Sequence, residues 1–165
     1  MDLSKLSNGD KVIAGSGIAL FIFSFFPWYG VDGYADGRSG WDYFFTGIIP
    51  VLLAVALVAY VAVTKLADGV KLPDLPVAWP LVVLGAGALA AVLVLLRLLM
   101  GDSVDVPFAS DFDLDRKAGI FLATLAAIGL AFGSFLKFKE EGGELPTKGG
   151  GTPGTGTGST PPTPF

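Results

Sequence analysis

Asp111, Asp113 and Asp115 alternate with Phe112 and Leu114, and Asp102 and Asp105 stand a few residues upstream. Carboxylates so spaced offer the hard oxygen ligands that Ca²⁺ or Mg²⁺ prefer. The calcium-loop pattern is incomplete, because the sixth position is not glycine and the twelfth is not glutamate. The simpler expectation is an acidic first turn of a helix, partly neutralised by Arg116 and Lys117, with the carboxylates favouring the positive end of the helix dipole. Arg97 is the one formal charge well inside an apolar run. A charge at the centre of a bilayer costs on the order of 3 kcal/mol and can mark an ion or substrate path. Arg97 is close enough to the end of its run to snorkel outward and pair with Asp102 or Asp105. Asp42 could act as an acid or base only with partners the sequence does not supply, so its simplest role is to cap a helix.

The chain has no cysteine and no histidine, which removes disulfides, thiolate nucleophiles and the commonest metal ligand and general base. It also shows no nucleophile elbow and no phosphate-binding loop. The expectation is a protein that is not an enzyme and carries no cofactor and no metal. A net charge of -4 without a dense basic patch argues against a nucleic-acid partner.

The elements that position these residues are four apolar runs, about 12–29, 44–64, 80–100 and 118–136. At about 1.5 Å per residue each is roughly 27 to 32 Å long, matching a hydrocarbon core of about 30 Å. An apolar fraction of 52% and a charged fraction of 16% lie outside soluble usage. The runs lack apolar/polar alternation, so helices are expected rather than strands. The fold class expected is therefore an all-α integral membrane protein: a four-transmembrane-helix bundle with short loops over 1–139, followed by a disordered Gly/Thr/Pro-rich tail over 140–165. The first run lacks a small-residue cleavage site and reads as a retained helix rather than a signal peptide.

Lys5, Lys11, Lys65, Lys71, Lys137, Lys139 and Lys148 fall on one side of these spans, against Arg38, Arg97, Arg116 and Lys117 on the other. The excess places both termini in the cytoplasm. Trp28, Tyr29, Trp41 and Tyr43 then lie at the outer ends of spans one and two, where amphipathic rings anchor at headgroup level or build a binding platform. Serines three residues ahead of acids, at Ser7/Asp10, Ser39/Asp42 and Ser110/Asp113, predict capped helix starts. Lys137 belongs to a short charged exit beyond the fourth span. Gly129 and Gly133 form a Gly-x-x-x-Gly face, extended by Ala123 and Ala127, that lets helix backbones approach within the bundle or against another subunit.

The segment Leu6 to Lys11, the apolar helix ending Phe26-Pro27-Trp28-Tyr29, and Gly40-Trp41 together resemble small four-span membrane proteins of unknown function from high-GC Gram-positive bacteria. The resemblance covers mainly the first two spans, and it implies residence in a bacterial plasma membrane. Claudin-like tetraspans are excluded by the missing loop cysteines. The expected role is a non-enzymatic accessory or scaffold subunit of the cell envelope, whose partners are the lipid bilayer and another membrane protein or a second copy. The alternatives are a small transporter or channel component, drawing on Arg97 and the acidic outer face, and an envelope sensor acting through the tail. Contacts with a partner are expected at Arg97, Asp42, Trp28, Trp41, Gly129 and Gly133.

Overall fold

Helix-stopping chemistry divides the chain more finely than hydropathy does. The computed structural model describes residues 3–33, 37–67, 69–104 and 112–143. Helix α1 spans Asn8–Phe23, α2 spans Ile49–Leu66, α3 spans Trp79–Met100 and α4 spans Ala118–Glu140. A π-helical turn at Phe44–Ile48 runs directly into α2. Among the described residues five short strands lie between the helices at one end: β1 Pro27–Gly30, β2 Arg38–Ser39, β3 Ser103–Val104, β4 Phe112–Asp113 and β5 Asp115–Arg116. Among the described residues three helical stretches, Phe44–Leu66, Trp79–Met100 and Ala118–Glu140, are long and apolar enough to cross a membrane. Helix α1, at 16 residues, is shorter.

The first apolar run is not one helix to residue 29. The α-helix ends at Phe23, with Ser24 as its C-cap, and Pro27 follows. Proline's missing N–H and its clash with the preceding residue favour extended backbone there. The chain turns and leaves as strand β1, which pairs antiparallel with β2 (Pro27 with Ser39, Tyr29 with Arg38) and with β5 (Tyr29 with Arg116, Gly30 with Asp115). A second ribbon pairs Ser103 with Asp113 and Val104 with Phe112. The described parts of the two loops, 24–33 and 37–43 with 101–104 and 112–117, are thereby joined into one cap, called the loop end below.

The opposite end gathers the start of α1, the end of α2, the start of α3 and the end of α4, called the termini end below. Half of the apolar window of α4 is buried, against 33% in α2 and 22% in α3, so α4 is the central helix. Its small residues make that position accessible. A side chain at Gly133 would put a Cβ 2.8 Å from the backbone nitrogen of Ile13, and one at Gly129 would put it 2.5 Å from the Ser16 Oγ. The Gly-x-x-x-Gly face therefore seats α1 inside the bundle. Gly87 of α3 lies equally tightly against Ser134 of α4, and Gly17 of α1 against Val58 of α2. Gly15 and Gly85 face open space. Backbone proximity at such glycines supplies the van der Waals contact on which helix association depends where lipid gives no hydrophobic drive.

The start of α1 is capped as the sequence indicates. Ser7 Oγ accepts from the Asp10 N–H at 3.2 Å, and Asp10 accepts in return from the Ser7 N–H at 3.1 Å. Helix α4 departs from expectation at both ends. It opens at Ala118 with Lys117 as an N-cap that makes no side-chain hydrogen bond, so Asp113 and Asp115 are not its acidic first turn. They lie in strands β4 and β5 instead, because the pairing with β3 and β1 takes the backbone that a helix would have used. Ser110 and Asp111 lie outside the described residues. At its far end α4 continues through Lys137, expected in a charged exit, to Glu140. The expected tail lies outside the described residues from 144 onward.

Candidate functional site

Two carboxylates organise the ends of the bundle. At the loop end the organiser is Asp102, just after α3. That helix stops because Gly101 takes a positive φ of 71°, which glycine accepts without the Cβ penalty. The last carbonyls of α3 are then satisfied from three directions. Arg97 O accepts from the Gly101 N–H at 3.2 Å and from the Tyr29 hydroxyl at 2.5 Å. Leu98 O accepts from Arg116 Nε at 2.8 Å, and Leu99 O from Arg116 Nη2 at 3.4 Å. A cation at a helix C-terminus also complements the dipole.

Asp102 receives three partners from separate parts of the fold. Its Oδ2 accepts from Arg38 Nη1 of β2 at 2.7 Å and from the Tyr43 hydroxyl at 2.6 Å. Its Oδ1 lies 2.9 Å from Arg97 Nη2. The Arg97 guanidinium also lies over the Tyr43 ring, 3.6 Å from its centroid, and 5.0 Å from the centroid of Tyr29. Its Nε and Nη2 are buried without a hydrogen bond of good geometry, so charge and ring faces hold it. Arg97 thus ends in a closed charge cluster. Burial alone would raise the pKa of Asp102, but the Tyr43 hydrogen bond and the Arg97 and Arg38 guanidiniums outweigh it and hold the carboxyl below its ordinary value. Tyr43 goes the other way: burial, and then its donation to Asp102, push it up to about 12.

Trp28 and Tyr29 are fully buried, which corrects their expected place as interface anchors. As β1 residues they point into the cap. Trp28 Nε1 donates to Phe23 O at 3.0 Å, and the indole stacks on Tyr43 with ring centroids 6.4 Å apart. A Cβ on Gly40 would lie 2.7 Å from the indole. The backbone closes around this plug: Gly40 N–H donates to Ser24 O at 3.0 Å, and Lys117 N–H to Trp28 O at 2.8 Å. Lys117 also pairs with Asp32. Trp41 is the expected anchor that does face outward, 37% exposed, with its ring 5.4 Å from Phe25 and 6.5 Å from Phe21. Asp42 accepts from the Ser39 N–H at 2.6 Å. It caps the short 3₁₀ turn Gly40–Asp42 rather than helix two.

Asp113 and Asp115 border a cavity of about 460 Å³ between Gly101–Ser103 and Asp113–Arg116. Among the described residues no group of three metal-ligating side chains is assembled. Asp102, which also lines this cavity, has its carboxylate already engaged by two guanidiniums and a phenol.

At the termini end the organiser is Asp10, fully buried in the first turn of α1. Its Oδ1 lies 2.6 Å from Lys137 Nζ of α4, and its Oδ2 lies 3.8 Å from Lys65 Nζ of α2. Lys137 is itself 1% exposed, with Glu141 at 3.0 Å and the Tyr60 ring centroid at 5.4 Å. The Gly9 N–H donates to Glu140 at 3.2 Å, so α4 supplies a cap to α1 in trans. Neither Asp10 nor Lys137 stands out in the sequence as a site residue. The usable signal is two opposite charges at the same end of the first and last apolar runs, Lys137 one helical turn from Gly133 of the packing face.

Arg97, Trp28 and Asp42 thus come together at the loop end, whereas Gly129 and Gly133 lie within the bundle. No known protein family, curated protein or solved structure matches this chain.

Proposed function

We propose that this chain is a four-span protein of a bacterial plasma membrane, with both termini cytoplasmic, and that it acts as a non-enzymatic accessory or scaffold subunit. The observation carrying this reading is that the two loops are not independent connections. They form one folded cap, tied by Asp102 to α3 and plugged by Trp28. Loop segments tied together by strand pairing and a shared carboxylate suit presentation to a partner, since preorganisation lowers the cost of binding.

Helix α1 supplies the fourth span in this reading. Sixteen residues extend about 24 Å, Ile18 and Ile22 project outward as apolar side chains, and β1 continues inward into the cap. The excess of lysines at the termini end supports a cytoplasmic location for that end. On the cap side, Arg38 and Arg97 pair with Asp102, and Lys117 with Asp32.

A second reading, as a small transporter or channel component, draws on the buried Asp10–Lys137 pair, because ionisable groups inside membrane proteins mark ion paths. Cross-linked affinity purification separates the two. A stoichiometric membrane-protein partner is expected for the accessory role, and ion flux by the pure protein in liposomes supports transport.

A further inference from the structure

At the termini end every buried charge has a second partner waiting nearer the surface. Asp10 is engaged by Lys137 at 2.6 Å, while Lys65, one-third exposed, stands 3.8 Å from its other oxygen. Lys137 is engaged by Asp10, while Glu141, also one-third exposed, stands 3.0 Å from the same ammonium and only one turn along α4. The same corner holds Glu140 on the Gly9 N–H and Ser7 capped by Asp10, and Gly9 itself packs against the Lys137 backbone, where a Cβ would lie 2.5 Å from the Lys137 nitrogen. Further along the interface the close α1 to α4 packing continues at Gly133 and Gly129 without buried charges.

Breaking a buried ion pair is expensive mainly because it leaves an uncompensated charge behind. Here the break need not do so. If the last turn of α4 moves away from α1, Lys137 carries Glu141 with it, and Asp10 keeps Lys65 of α2. We infer that the Asp10–Lys137 pair is a partner-exchange latch: the last turn of α4 releases the first turn of α1 locally, while the glycine-packed interface beyond it stays closed. Two arrangements of one charge set, each with its charges paired, are what a bistable element requires.

Hydrogen exchange on the full-length protein in nanodiscs tests the latch, because amide exchange reports the population of locally open states. The amides to follow are Gly9, bonded to Glu140, and Glu141, bonded to Lys137 O at 3.0 Å. Lys65→Met removes the reserve partner of Asp10 and so penalises the open arrangement. It is expected to slow exchange at Gly9 and Glu141 by about threefold or more, while the loop-end amide of Lys117 stays unchanged. Lys137→Met is expected to accelerate Gly9 exchange at least tenfold. Because that variant removes a buried partner and can fail to fold, Lys65→Met carries the decision. Unchanged or faster exchange in Lys65→Met, or a change shared equally by Lys117, overturns the latch in favour of a static pair.

Discussion

The guanidinium of Arg97 lies 3.6 Å from the centre of the Tyr43 ring, and both groups reach the same Asp102 carboxylate. Arg97 lies in the last turn of α3 and Tyr43 precedes the π-helical turn that runs into α2, so this stack joins the two loops near the points where each meets its helix. A charge expected to cost energy in the bilayer is therefore spent on closing the cap.

Asp102→Ala is expected to leave two guanidiniums and a phenol without their common acceptor. The loss should be about 3 kcal/mol, as for a pair broken by removing one partner in a partly buried site. A lowered melting temperature in detergent, with Trp28 fluorescence shifted toward that of an exposed indole, is the expected outcome. A cap indifferent to this change would mean that the strands alone hold it.

The cap should loosen at both extremes of pH. Asp102 has a depressed folded pKa, so its contribution is present above the ordinary value of 3.8 and is lost as pH falls through the lower folded value. Tyr43 is raised from 10.0 to about 12, so its contribution is complete below pH 10 and is lost as pH rises toward 12. Tryptophan emission followed from pH 2 to 12 should show a plateau between these limits. Asp102→Asn should remove the acid limb.

Membrane contact distinguishes the tryptophans. Quenching by brominated lipid should fall strongly in Trp41→Phe, because that ring is exposed beside Phe25 and Phe21. It should be nearly unaltered in Trp28→Phe, whose indole is fully buried. Equal quenching of the two rings would place Trp28 at the lipid interface after all.

Gly129→Leu tests the α1 to α4 contact. A Cβ there meets Ser16 Oγ at 2.5 Å, and overpacking of this kind costs about 1–3 kcal/mol. Gly85→Leu, on an open face, should leave stability within about 0.5 kcal/mol. The contrast between the two, read as melting temperatures in one detergent, isolates packing from hydrophobicity.

The apolar runs were legible because mean hydropathy over about twenty residues reports a solvent, and α2, α3 and α4 follow it closely. The short strands were not, because pairs of two residues such as Arg38–Ser39 and Asp115–Arg116 have no room for a periodic signal. They exist only through pairing with other segments, Arg38–Ser39 with β1 across its own loop and Asp115–Arg116 with β1 from the far side of two helices. Trp28 and Tyr29 were misplaced for a related reason: an aromatic pair at the end of an apolar run looks the same whether it meets headgroups or turns inward as a strand. Pro27 was the available clue. Arg97 stands so few residues from the end of its run that a pair with Asp102 or Asp105 is legible in the sequence, and the fold selects Asp102 among the described residues. Asp10 and Lys137, 127 residues apart, needed the fold to bring the first and last helices together.

The most direct test of the accessory role is cross-linked purification of the full-length protein from membranes, run in parallel with Asp102→Ala. A single stoichiometric membrane-protein partner, retained by the native chain and lost when the cap is unlocked, is the predicted result. A native chain that purifies without such a partner and by itself conducts ions across liposomes would contradict it.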